Sequence, residues 1–116
     1  MSITIEPPHA VLLVVGREQF APPTSFGDAT CAATADCVAV SVADGPALLE
    51  LAPAPHTSGL RLLGSFTIES EGLVSVRDVY SREYDTLGVP PGWALVTVWG
   101  DLPAEPRHVA VQVEPA

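Results

Sequence analysis

The stretch "FTIESEGLVSV", residues 66–76, decides the fold class. Apolar and polar residues alternate on both sides of Gly72, as in two short strands joined by a turn. The alternation predicts four side chains that point into a core, and the central glycine predicts a β-hairpin. These four are Phe66, Ile68, Val74 and Val76.

Similar short runs fill most of the chain. "CVAVSVADGPALLEL", residues 37–51, has the pattern of a second hairpin that turns at Asp44-Gly45-Pro46, and "VAVQV", residues 109–113, alternates strictly. The twelve prolines and nine glycines cut the apolar sequence into pieces too short for long helices. We predict eight strands, at residues 2–6, 10–16, 37–43, 46–51, 60–69, 73–79, 93–99 and 107–114.

The remaining segments are connections, of which one has some helical character. "GDATCAATAD", residues 27–36, begins with Asp28 as a possible N-cap, but it is too short to hold a helix without docking on the strands. We therefore predict an all-β fold, an antiparallel β-sandwich of about eight short strands with at most one or two helical turns. Residues 1–116 are expected to form a single domain.

The segment "WALVTVW", residues 93–99, is apolar on both of its faces. Trp93, Leu95 and Trp99 alternate with alanine and valines. A strand of this kind is expected in the middle of a sheet, covered on both sides. This interpretation places both tryptophans among the core residues, where truncation of Trp99 would unfold the domain.

Charge limits the classes of partner. The formal net charge is −9, and all five cationic side chains are arginines. Such a surface repels phosphate backbones and anionic membranes, so direct binding to nucleic acid or to a membrane is not expected. The charge either keeps an apolar domain soluble or forms a docking face for a basic partner. No signal-peptide pattern opens the sequence, and we expect a cytoplasmic protein.

No motif for catalysis, a cofactor or a metal is present. Cys31 and Cys37 have no second pair of ligands for zinc and no oxidising context for a disulfide, so we expect two small buried thiols. The three histidines lie in separate segments without a nucleophile motif. The carboxylate pairs of the chain are expected to be solvated, which leaves nothing to raise a pKa for acid catalysis. We predict that the protein is not an enzyme.

The charged and aromatic residues concentrate in "RDVYSREYDTLGVPPGW", residues 77–93, which contains both tyrosines of the chain. The rigid "GVPPG" turn fixes the position of the segment before it. The tyrosines either close one end of the sandwich or form an acidic and aromatic contact patch. The candidate partner-binding residues are Asp78, Tyr80, Glu83, Tyr84 and Asp85, with Glu69 and Glu71 at the tip of the expected hairpin.

From Val11 onward, the order of segments resembles the competence protein J-type nuclease inhibitors of bacteria. "VVGREQF" is similar to the family's strand that ends in a turn with an aromatic residue, and "ATADCVAVSV" to its helical piece that leads into a strand. "GSFTIESEGLVSVRDV" is similar to the family's hairpin, and "LGVPPGWALVTVW" to its proline-glycine turn before a Trp-containing strand. The resemblance implies a small acidic inhibitor that binds a nuclease or a related immunity-type partner. The acidic charge agrees, because nucleases that grip phosphates are basic near their active sites.

Two other functions fit the same residues. One is a non-catalytic β-sandwich module that binds another protein or a small ligand between its sheets. The other is a subunit that forms a homodimer through an exposed strand edge or through the apolar "WALVTVW" face.

Overall fold

The computed structural model describes residues 2–116, which form ten strands and one short 3-10 turn at Pro8–Ala10. No helix within these residues has the length and apolar character needed to cross a bilayer. The strands are β1 (Ser2–Ile5), β2 (Val11–Val15), β3 (Cys31–Ala33), β4 (Cys37–Ser41), β5 (Ala47–Ala52), β6 (Arg61–Ser70), β7 (Leu73–Arg77), β8 (Glu83–Gly88), β9 (Gly92–Gly100) and β10 (His108–Pro115).

The strands form two sheets of five. Sheet I has the order β1-β5-β10-β9-β6, and sheet II has the order β3-β4-β2-β7-β8. Neighbouring strands run antiparallel throughout, except for the parallel pair β5 and β10. The all-β sandwich expected from the sequence is confirmed, with one parallel strand pair that the predicted antiparallel arrangement did not include, and each of the eight predicted strands has a counterpart.

Both hairpins expected from the sequence are wrong in their pairing. Strands β6 and β7 follow one another around Gly72, but β6 belongs to sheet I and pairs with β9, whereas β7 belongs to sheet II and pairs with β2 and β8. Strands β4 and β5 are likewise in different sheets. Each connection is therefore a β-arch, a turn that carries the chain from one sheet to the other. Alternation identifies the buried face of a strand and does not identify its hydrogen-bonding neighbour.

Two strands were not expected. The segment predicted as a possible helix contains β3, whose Ala32 lies opposite Ala39 of β4. The segment after Arg82, predicted as part of a connection, contains β8, which forms a true hairpin with β7. In both places pairing with a neighbouring strand overrides weak local preferences, and at β3 the competing alanine-rich helix is too short to gain much by itself.

The core between the sheets consists mainly of valine. The predicted inward residues Ile68, Val74 and Val76 are fully buried, and Phe66 packs against the margin of the core. A second, smaller cluster lies on the outer face of sheet II, where the connection after β2 places Phe20 and Phe26 against the sheet. The sheet residues of this cluster are Leu13, Val15, Cys37 and Ala39.

The interpretation of "WALVTVW" is wrong for its tryptophans. Ala94, Val96 and Val98 of β9 face the core and are fully buried, whereas Trp93 is 54% exposed on the opposite face and Trp99 is partly buried there. Trp99 donates a hydrogen bond of 3.4 Å from Nε1 to Oε1 of Gln112 on β10. The two indole rings therefore lie on the outer face of sheet I, because successive residues of a strand point to opposite faces and Ala94, Val96 and Val98 occupy the inner one.

The two cysteines lie on opposite faces of sheet II. Cys31 belongs to the core between the sheets and Cys37 to the outer cluster, so the two sulfur atoms cannot meet without refolding. Burial raises the pKa of the Cys31 thiol to about 11. Burial, with the nearby Asp36 charge as a second cause, raises the pKa of Cys37 to about 12. Both are buried thiols, as the sequence predicted.

Ile68→Ala should lower the free energy of unfolding by about 2–5 kcal/mol, because it removes a fully buried side chain and leaves a cavity. Trp93→Ala, at a position that is half exposed, should lower it much less. Chemical denaturation of both variants measures the difference. Equal losses would show that the tryptophan face is part of the core.

Neither thiol should react with an alkylating reagent in the folded protein at about pH 8, near the pKa of a free cysteine. Both raised pKa values leave little thiolate at that pH, and burial blocks access. Mass spectrometry after a timed reaction should show no adduct under native conditions and two adducts in denaturant. Rapid labelling of the native protein would place a thiol at the surface.

Candidate functional site

Residues 78–82 form the loop between β7 and β8, and Asp78 holds this loop from within. Its carboxylate accepts hydrogen bonds from the main-chain N–H of Tyr80 at 2.8 Å and of Arg82 at 3.0 Å, and from the Tyr84 hydroxyl at 3.3 Å. Asp78 is buried. The sequence assigned it to a contact surface, but its carboxylate is engaged inside the loop and organises it.

Tyr84 is the second residue that the loop draws inward. Its ring packs against the core, and Arg82 lies 5.9 Å from the ring centroid. Burial raises the pKa of the Tyr84 hydroxyl, and the charge of Asp78 and its hydrogen bond raise it further, while Arg82 acts in the opposite direction. The Tyr84 hydroxyl thus helps to hold the loop, because it donates a hydrogen bond to Asp78.

Tyr80 points the other way and is 70% exposed. Its hydroxyl lies 2.9 Å from Nε2 of His9, and the two rings meet edge to face with centroids 5.8 Å apart. The backbone around this contact is unusual, because His9, Ala10 and Ser81 all have positive φ angles, of 59°, 56° and 65°. Non-glycine residues rarely adopt this conformation, and such strain clusters at functional sites. The result is an exposed aromatic side chain in a fixed position.

A groove of about 200 Å³ lies on the outer face of sheet II, along β7 and the end of β2. Because Val74 and Val76 face the core, the alternate residues Leu73, Ser75 and Arg77 face the groove. The full lining is Val15, Gly16, Arg17, Glu18, Glu71, Leu73, Ser75, Arg77 and Glu83.

Arg77 lies deep in the groove, with its side chain only 14% exposed. Its Nε donates a hydrogen bond of 2.9 Å to the Ser75 hydroxyl. Its Nη2 lies 3.4 Å from Oε1 of Glu18 and 4.0 Å from Oε1 of Glu83. Ser75 fixes the orientation of the guanidinium group, and the two glutamates approach it from the rim.

Arg17 is the second guanidinium group of the groove, and three carboxylates surround it. Its Nη1 lies 3.4 Å from Asp36 and 3.9 Å from Glu69, and its Nε lies 3.8 Å from Glu71. The preceding residue must be glycine, because a Cβ at Gly16 would collide with the main-chain carbonyl oxygen of Glu69. This close approach brings the end of β2 against the arch between β6 and β7.

The structure brings together some of the predicted contact residues and separates others. Glu71 and Glu83 line the same groove, and Glu69 joins them through Arg17. Tyr80 lies in the loop after Arg77, at the opposite end of β7 from Leu73, and does not line the groove. Asp85 lies on β8, where its carboxylate accepts the main-chain N–H of Thr86 at 2.9 Å.

Arg77 lies in the segment 77–93 that the sequence singled out, but it was not among the predicted contact residues. Sequence reasoning also missed Arg17, Glu18 and the His9 contact of Tyr80, which come from segments far from β7 in the chain, so no local spacing signals their proximity. Within residues 2–116 no group of three or more His, Cys, Asp or Glu is arranged to hold a metal ion.

Comparisons with protein-family models, curated proteins and solved structures find no match to this chain. The resemblance to the competence protein J-type inhibitors therefore stays a prediction based on residues.

In a Tyr80→Phe background, the phenolate absorbance should show Tyr84 titrating above its ordinary pKa of 10.0. Replacing Asp78 by Asn should lower that pKa, because it removes the neighbouring charge while an oxygen remains to accept the loop N–H groups. A raised folded-state pKa stabilises the protein below the unfolded-state pKa, and this contribution is lost as the pH rises through the folded-state value.

Asp85→Asn is the matched control for this titration, because its carboxylate accepts the Thr86 N–H. It should leave the Tyr84 pKa nearly unchanged. An equal fall in both variants would contradict the role of Asp78.

Proposed function

We propose that this protein is a small acidic, non-catalytic inhibitor that binds a basic protein partner, and that the partner is a nuclease. The observation that carries the proposal is the charge around the groove. Five carboxylates surround its two guanidinium groups, which leaves a surplus of three negative charges. The nuclease as partner comes from the resemblance seen in the sequence.

The carboxylates at the rim of the groove are accessible. The side chains of Glu18, Glu71 and Glu83 are 85%, 55% and 50% exposed. Ion pairs this exposed contribute little to stability, so their arrangement is better explained by binding than by folding. Rim charges of one sign attract a partner of the opposite sign and speed its association. On a basic nuclease they would compete with the phosphates of the substrate.

Tyr80 supplies the second element of the proposed interface. An exposed aromatic ring held by the Asp78 loop and by His9 loses little conformational freedom when a partner covers it. Aromatic anchors of this kind provide much of the energy of protein interfaces. Glu83, at the start of β8, lines the groove and comes three residues after Tyr80, and we propose that the groove and Tyr80 contact the same partner. We expect this binding in the cytoplasm, where the two free thiols would stay reduced.

The charge test compares two triple variants that change the net charge equally. The groove variant carries Glu18→Gln, Glu71→Gln and Glu83→Gln, and the control carries Asp44→Asn, Glu105→Gln and Glu114→Gln at exposed positions outside the groove lining. Association with immobilised purified basic nucleases is measured at two salt concentrations. The groove variant should associate about tenfold more slowly and lose most of its salt dependence, and the control should change much less.

Tyr80→Ala should instead raise the dissociation rate, and it should weaken binding by about 2 kcal/mol. Inhibition is measured separately, as loss of nuclease activity. Absence of binding and inhibition across a panel of basic nucleases would refute the nuclease proposal. Equal effects of the two triple variants on association would show that the interface lies outside the groove.

Self-association is the second candidate, favoured by the edge of sheet I. Strand β6 is ten residues long and pairs with β9 on one side only. Apart from the bond from Glu69 N–H to the Ala35 carbonyl, its outer edge is available to pair with another strand. Sedimentation at several concentrations distinguishes the candidates, because a homodimer would form without any basic partner.

A further inference from the structure

The groove on sheet II carries both signs of charge at different depths. Arg77 lies at its floor, and the carboxylates of Glu18, Glu71 and Glu83 lie towards its mouth. A ligand that fits this distribution carries one anionic group and one cationic group, which contact the groove at different depths. The guanidinium groups would repel a purely cationic molecule, and the carboxylates would repel a purely anionic one.

The guanidinium groups keep unused capacity to bind a carboxylate. The distances from Arg77 and Arg17 to their acidic neighbours are 3.4–4.0 Å, which exceeds the length of about 2.7–2.9 Å that charge-assisted hydrogen bonds reach. Nε of Arg17 is buried and has no hydrogen-bond acceptor. A small carboxylate that entered the groove would offer closer acceptors, and arginine binds such a group through two parallel N–H donors.

Size narrows the class of ligand further. The groove has a volume of about 200 Å³. It is smaller than the sites of about 300–1,000 Å³ that hold nucleotide-sized or drug-sized molecules. Leu73, which is 61% exposed, and Val15 give the groove an apolar wall. An aliphatic side chain of three or four carbons would cover that wall.

We propose that the groove binds a free α-amino acid with an aliphatic side chain, with its carboxylate on Arg77, its ammonium group among Glu18, Glu71 and Glu83, and its side chain on Leu73. The same three carboxylates form the rim of the proposed partner interface, but binding of a free amino acid to the groove needs no protein partner. Leucine is the probe for which all three contacts can be tested one at a time.

The experiment is a titration of the ¹⁵N-labelled protein, followed by amide chemical shifts, with three related molecules. L-leucine carries all the groups, 4-methylpentanoate lacks the ammonium group, and 3-methylbutylamine lacks the carboxylate. Leucine should give saturable shifts at Gly16, Arg17, Ser75 and Arg77, with each of the other two at least about tenfold weaker. Absence of saturation with leucine, or equal affinity for either of the other two, would overturn the proposal.

Variants assign the contacts. Arg77→Gln should abolish leucine binding, and Arg107→Gln is its exposed control. Because Arg77 is largely buried, its variant is checked for folding, and Glu18→Gln provides a test at an exposed side chain. Glu18→Gln should weaken the affinity for leucine several-fold and leave the affinity for 4-methylpentanoate unchanged. Leucine binding that is unchanged in both Arg77→Gln and Glu18→Gln would refute the site. Leucine binding needs no protein partner, so its failure is separable from failure of the proposed function.

Discussion

The packing of short branched side chains between the two sheets is the constraint on which the rest of the structure depends. Valines from β2, β4, β7, β9 and β10 meet there and are fully or almost fully buried. Because successive residues of a strand point to opposite faces, fixing the valines on the inside also fixes what lies outside. On β7 this places Leu73, Ser75 and Arg77 on one outer stripe. A slip of one residue would bury the arginine and expose the valines, so the core determines the register of the groove as well as the fold.

The sequence allowed the fold class and the buried faces to be predicted, and failed on the partners of the strands. Phe66, Ile68, Val74 and Val76 turn inward as their alternation indicates, yet the turn at Gly72 changes sheets. A hairpin and an arch have the same local pattern, because both place their apolar residues against one core. Which of the two forms depends on the hydrogen bonds made by β2 and β9, which lie far away in the chain. The interpretation of "WALVTVW" failed for a related reason, since its aromatic residues and its valines are both apolar, so the pattern does not show which of its two faces lies against the other sheet.

The candidate site was predictable only in part, and its residues show why. The stretch around Tyr80 stood out by composition, but composition does not distinguish the buried Asp78 from the exposed Glu83. That difference arises because the carboxylate of Asp78 can reach two main-chain N–H groups of a tight loop. Arg17 and Glu18 gave no signal, because they reach the groove beside Arg77 through the pairing of β2 with β7 and the close approach of Gly16 to the backbone of Glu69.

The outer face of sheet II is covered unevenly, and this unevenness bears most directly on function. Over β2 and β4 it is closed by Phe20 and Phe26, which bury the small cluster that contains Cys37. Over β7 it is left open, and arginines and glutamates replace the aromatic cover. Folding alone would favour the same apolar cover on both halves, since exposed ion pairs stabilise a protein far less than buried apolar area does. The open half lacks that stabilisation, and the proposed recognition of a charged partner or ligand would account for a surface of this composition beside a closed one.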